Sequence, residues 1–346
     1  MIRDGTVFED DHLPREIVGR HRHMNEVTDA LSPVEDGFSA ENCFLFGPSG
    51  SGKTTVARAS VRELRREVLD VPTGYVNCWM DYTRNAVLER AVKDLANTAV
   101  RRSAPARDLV DALQSNLDSP SVLILDEVDQ LRDTGLLYDL HTVRGLSWIA
   151  IANREVDLLA DLDDRVHSRV GVGYRVRFDR YDADIVTEIL DRRARAGLVD
   201  GATTRDVLRR IAELADGDAR TAITALRVAA KKAASEGLSS IPERLVRESV
   251  LDAENEVRQK AISKLNEHQH TVFRILERDG QLIQKDLYER YCEEHEGNTL
   301  SYRALRETHL PKLVHYNLAT TSRDGNTKLF RVTASKHVEG QVEGAK

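Results

Sequence analysis

The chain has 346 residues, enough for two or three domains, and its 41% hydrophobic and 31% charged composition is that of a globular protein. Its formal net charge of −7 excludes a uniformly cationic nucleic-acid wrapper, so any contact with nucleic acid must come from a local basic patch. No apolar run approaches the roughly 18 residues of a membrane-spanning helix, and the opening MIRDGTVFEDDHLPRE lacks the apolar core of a signal peptide.

A cytoplasmic location with no membrane partner is therefore expected. Cys43, Cys78 and Cys292 lie far apart without metal-ligand spacing, which predicts reduced thiols.

In chain order, short apolar runs alternate with helical patterns up to about residue 180. Strands are predicted at Cys43–Phe46, Tyr75–Cys78, Val122–Leu125, Trp148–Ala152 and Tyr174–Phe178, with helices at Thr54–Val68 and Asn85–Val100. That alternation marks an α/β fold with a parallel sheet. Residues 181–255 carry only helical stripes, such as Val207, Leu208, Ile211 and Leu214, and predict a small helical bundle. Residues 256–346 read as helix, helix, helix, then the hairpin LATTSRDGNTKLFRV turning at Asp324–Gly325. Three helices and a hairpin predict a winged helix.

The motif GPSGSGKT at 47–54 follows a strand and opens a helix, the context a phosphate-binding loop requires. Gly47, Gly50 and Gly52 let the backbone curl so that its N–H groups converge on phosphate oxygens. With Pro48, Ser49, Ser51 and Thr55 they complete a candidate ATP/ADP site. Lys53 supplies a point charge to the phosphates, and Thr54 offers a hydroxyl to Mg²⁺. VLILDEVD at 122–129 sets two carboxylates at a strand end: Asp126 to hold Mg²⁺ through water and Glu127 as the base for an attacking water. Asn153 ends the next strand, where it could meet the γ-phosphate. Arginines stand in RVHSR (165–169) and GDAR (217–220). Either group could reach a nucleotide, in trans or in cis, or form surface ion pairs.

In this order the motifs resemble those of the AAA+ ATPases. QKDLYERYCEEH, the helix and wing after it, and LPREIVGRHRHMNEVTDAL before the phosphate loop resemble the archaeal origin-recognition and cell-division-control replication initiator family. The resemblance implies a P-loop AAA+ sheet with a helical lid, followed by a C-terminal winged helix. It also implies that Arg20 lies by the adenine, that Asn153 and Arg220 are the two nucleotide sensors, and that Arg169 or Arg165 is a trans finger. That family carries a helical insertion before the carboxylate strand; the corresponding stretch, roughly 79–119, is short here.

From Ser301 to Lys336 seven basic residues face two acidic ones. Arg303, Arg306 and His309 are predicted to share a helix face, with Lys312 further along and Arg323 and Lys328 on the wing. These are candidate contacts to double-stranded DNA. The leading expectation is an origin-binding initiator and slow ATPase switch, with the replicative helicase and a second initiator subunit as partners. A transcription or signalling regulator with a winged-helix interaction module is the alternative, and a fast remodelling enzyme a third.

Overall fold

The computed structural model describes residues 1–98, 101, 104–131, 133–155, 173–325 and 327–333. The chain forms two compact units, Met1–Val246 and a second starting at Arg247. In the first, strands β1 (Cys43–Phe46), β2 (Thr73–Asn77), β3 (Ser121–Asp126), β4 (Leu146–Ala152) and β5 (Tyr174–Arg177) form a parallel sheet ordered β2-β3-β4-β1-β5. The five predicted strands are all present, with ends moved by a residue or two.

Side chains alternate across β1, so Phe44 and Phe46 enter one core layer while Cys43 and Leu45 enter the other. On the Leu45 side lie α1 (His21–Leu31) and α2 (Lys53–Glu67), through Val27, Leu31, Val56, Val61 and Leu64. On the Phe44 side lie α3 (Arg84–Ala91), α4 (Ala106–Asn116) and α5 (Gly135–Thr142). There Phe44 meets Trp148 edge to face at 5.0 Å. Both faces of β1 are covered, which explains its unbroken apolar sequence.

The helix predicted over Asn85–Val100 is shorter as an α-helix. It passes at Val92 into a π-turn, Val92–Ala96, and ends where Asn97 takes a left-handed conformation, φ 45°. Asparagine tolerates that conformation better than most residues. The described part of 79–119 covers the sheet, with Leu88, Val92, Leu95, Leu109 and Leu113 all buried in its core.

Helices α6 (Ala183–Gly197), α7 (Arg205–Leu214) and α8 (Ala219–Ser235) make the helical lid. Thr204 and Asp218 cap α7 and α8, accepting from Val207 N and Thr221 N. The N-terminal segment straps this lid to the core. Ile2 bridges to Leu198, and Arg193 donates to the Val7 and His12 carbonyls. Arg62 of α2 donates to the carbonyls of Pro14 (2.8 Å) and Arg15 (3.0 Å).

The boundary between the units falls at the start of α9 (Val246–Ser263). Then come α10 (Glu267–Asp279), β6 (Leu282–Ile283), α11 (Gln284–Glu294) and α12, which is built from Tyr302–Ala304, a π-turn Leu305–His309 and Leu310–His315. Strands β7 (Ala319–Asp324) and β8 (Thr327–Val332) close the hairpin, and the antiparallel sheet runs β6-β8-β7. This is a winged helix. The two-residue strand β6 was too short to read from the sequence. The π-turn precedes Pro311, which lacks the N–H that a regular helix would bond back to residue 307. His309 is thereby carried inward. It is 4% exposed, so it does not share the face of Arg303 and Arg306.

In this unit Leu300 N donates to Tyr291 Oη at 3.0 Å, and Tyr291 Oη lies 2.9 Å from His268 Nδ1. Tyr291 Oη thus links the Leu300 backbone to the His268 ring. Burial and the neighbouring His295 lower the His268 pKa below its ordinary value.

Truncating the fully buried Leu45 to Ala is expected to lower the first unit's stability by about 3 kcal/mol, whereas Leu45→Met costs less than about 1.5 kcal/mol. Denaturant midpoints of the first unit's transition check both. Because the folded state favours neutral His268, its contribution is complete above the unfolded pKa and declines as pH falls through and below it. The winged helix is expected to melt at lower temperature at pH 5 than at pH 7. His268→Asn should remove part of that decline, as melting curves across this range will show.

Candidate nucleotide site

The sheet order places the C-terminal ends of β3, β4 and β1 side by side. The loop after β1 is threaded by glycines in left-handed backbone, Gly50 at φ 73° and Gly52 at φ 90°. Each also lacks room for a Cβ. One on Gly50 would fall 2.1 Å from Asp218 Oδ1, and one on Gly52 would meet the Tyr181 hydroxyl. The glycines therefore serve the loop's curl and its close approach to the lid. Helix α2 starts at Lys53, so its first-turn N–H groups have no upstream helical carbonyls and are available to an anion.

Lys53 is 7% exposed. Its Nζ donates to Gly47 O (2.6 Å), Pro48 O (2.8 Å) and Asn153 Oδ1 (3.1 Å), all uncharged acceptors. Burial draws its pKa down to about 8, against the opposing pull of Asp126. A desolvated ammonium held only by neutral oxygens costs several kcal/mol, which an anion placed beside it offsets. The buried Ser51 hydroxyl has no partner among the described residues. Lysine, helix N-terminus and glycine curl all fit a phosphate chain.

Asp126 ends β3 and is buried. Its Oδ2 accepts from Thr54 Oγ1 (2.9 Å) and Tyr75 Oη (2.8 Å), and its Oδ1 from Glu127 N (3.0 Å). Hard oxygen donors on Thr54 and Asp126 suit Mg²⁺ completed by phosphate and water. Glu127 has φ 56°, a left-handed conformation uncommon outside glycine and a form of local strain found at functional sites. Asn153 also donates its N–H to Asp129 Oδ2 at 3.2 Å. Phosphate loop, carboxylate strand and strand-end Asn thus lie together. Thr55 sits in the first turn of α2.

Arg220, near the start of α8, reaches Ser49 Oγ at 3.4 Å, and Ala219 N donates to Gly50 O at 3.3 Å. The lid thus touches the loop directly. Arg20 is buried and ties parts of the protein together. Its Nε donates to Ser51 O at 3.0 Å and its Nη2 to Asp179 O, and its guanidinium stacks on Tyr181, 3.8 Å from the ring centre. Its shown contacts are thus with the loop and the β5–lid connection. Arg165 and Arg169 lie outside the described residues.

Sequence reading missed Tyr75, Asp129 and Asp218. Tyr75 shares the sheet face of Asp126 by strand parity, a signal visible only once β2 is paired with β3.

On the winged helix, Arg303 donates to Glu307 Oε2 at 2.7 Å, and Arg306 bonds the other carboxylate oxygen. Lys312 lies further along α12 and is half-buried. Arg323 and Lys328 stand directly opposite in the β7–β8 register and are exposed.

Residues 16–149 match the model of an AAA ATPase domain, and residues 187–250 that of a Cdc6 AAA+ ATPase-type lid domain. The structure resembles that of the Aeropyrum pernix ORC1 protein in complex with DNA, with a TM-score of 0.76 at 25% identity over 99% of this chain and 97% of that one. It shares its fold with the Aeropyrum pernix ORC2 protein in ADPNP–ADP complexes, with a TM-score of 0.68 at 22% identity over 99% of this chain and 96% of that one. Among named relatives, ORC1-type DNA replication protein 9 of Halobacterium salinarum is 38% identical over 339 residues, spanning 96% of this chain and 95% of that protein. With such identity along nearly the whole length of both, this chain belongs to the ORC1-type DNA replication proteins, a family of AAA+ ATPases.

Proposed function

We propose that the chain is an ATP-controlled replication initiator that binds double-stranded origin DNA through its winged helix. Family membership favours replication over the transcription or signalling alternative. The observation that carries DNA binding is the Arg323–Lys328 pair. Like charges directly opposite on a hairpin repel, which costs stability unless a polyanion lies across them. Exposed ion pairs are weak, so Arg303 and Arg306 can exchange Glu307 for phosphate or base edges. Lys312 adds charge on the same helix. The Aeropyrum relative bound to DNA supports this reading.

The same reading extends to the nucleotide chemistry, which the site geometry supports. Lys53 and the α2 N-terminus bind phosphates, with Gly47, Pro48, Ser49, Gly50, Ser51, Gly52 and Thr55 lining the loop. Thr54 and Asp126 hold Mg²⁺. When bound, the metal screens phosphate charge and polarises the bond to be broken. Glu127 takes the proton of the attacking water, and Asn153 orients the γ-phosphate side. Arg220 reads that phosphate from the lid. Arg169, or Arg165, of a neighbouring subunit serves as finger. Turnover is slow where that finger is missing, so ATP acts as a switch. Arg20 holds the loop against the adenine side. The replicative helicase and a second initiator subunit are the proposed protein partners, in the cytoplasm.

Lys53→Ala is expected to abolish ATP binding with the fold intact, and Glu127→Gln to bind ATP but not hydrolyse it. Titration calorimetry and phosphate release check the pair; ATP binding by Lys53→Ala, or turnover by Glu127→Gln, contradicts the assignments. Arg323→Ala combined with Lys328→Ala should flatten the slope of log affinity for DNA against log salt by about two. An unchanged slope would mean the wing touches no phosphate.

A further inference from the structure

We propose that Tyr75 is a positioning residue for the nucleotide site: its phenol hydroxyl sets the orientation of Asp126, and through it that of Thr54. The proposal rests on the reading of Thr54 and Asp126 as the residues that hold Mg²⁺, Asp126 through water. In the parallel register Asn77 pairs with Asp126, and Tyr75 pairs with Ile124. Tyr75 and Asp126 therefore lie diagonally on one face, a separation that a long aromatic side chain spans.

Asp126 Oδ2 receives two hydroxyl donors, Tyr75 at 2.8 Å and Thr54 at 2.9 Å, while Oδ1 receives Glu127 N at 3.0 Å. Donors on both oxygens stop the carboxylate from rotating. The Thr54 proton is committed to Oδ2, which leaves the oxygen lone pairs of Thr54 for a cation. Without the Tyr75 hydroxyl, Oδ2 keeps Thr54 alone and the carboxylate loses one of its restraints. Outer hydrogen bonds of this kind tune metal ligands.

The Tyr75 hydroxyl bonds the carboxylate of Asp126. Lys53 is held by Gly47, Pro48 and Asn153. The ring itself packs against the Leu45 layer, with the Arg58 guanidinium 5.9 Å from its centre. Phenylalanine keeps both of those contacts and deletes only the hydroxyl.

The test is binding of a fluorescent ADP to the full chain, measured in EDTA and across a Mg²⁺ titration. Tyr75→Phe is expected to match the parent in EDTA affinity and in melting temperature. It should need about tenfold more Mg²⁺ for half-maximal tightening. An unchanged Mg²⁺ requirement overturns the proposal. An equal loss of affinity in EDTA and in Mg²⁺ also overturns it, making Tyr75 a packing residue. If the parent chain itself shows no Mg²⁺-dependent tightening, the metal reading of Thr54 and Asp126 fails, and this proposal fails with it.

Discussion

The first unit is organised around one buried ammonium. Lys53 sits where β1 becomes α2, and its three acceptors are two loop carbonyls and Asn153. To keep a desolvated cation there, the loop must curl through left-handed glycines and β4 must deliver Asn153 beside it. The sheet order, with β4 between β3 and β1, meets that requirement and brings Asp126 into the same pocket. A buried charge whose hydrogen bonds all go to neutral oxygens is a poor device for stability and a good one for catching an anion.

The lid is bound into the same arrangement. Gly50 and Gly52 leave space that Asp218 and Tyr181 fill, and Arg20 bonds the loop at Ser51 and the β5–lid connection at Asp179. Arg220 stands at the loop's edge on Ser49. A shift in the loop would therefore be felt by α8 and by the residues linking β5 to α6. The N-terminal segment supports this from another direction, since Arg193 of α6 and Arg62 of α2 both hold its carbonyls. Such short links between loop and lid are what a nucleotide-sensing switch requires.

Much of this was legible in the amino-acid order because it depends on local rules. A phosphate loop needs its glycines and lysine in sequence, and a buried parallel strand needs a continuous apolar run. What was hidden depends on pairing between distant segments. Tyr75 acquires meaning only when β2 is registered against β3, and Asp218 only when the lid meets Gly50. The inward turn of His309 follows from the π-turn before Pro311, which breaks the three-residue spacing that put it beside Arg306. β6 is a strand because Leu282 and Ile283 pair with Phe330 and Leu329, not because two apolar residues demand it.

The most direct test is a crystal structure of the full chain with Mg²⁺ and ADP. Lys53 Nζ is expected to exchange at least one of its loop carbonyls for a β-phosphate oxygen, with Thr54 Oγ1 at the metal and Asp126 behind it. A nucleotide bound elsewhere, with Lys53 still on Gly47, Pro48 and Asn153, would contradict the assignment of this pocket as the ATP site.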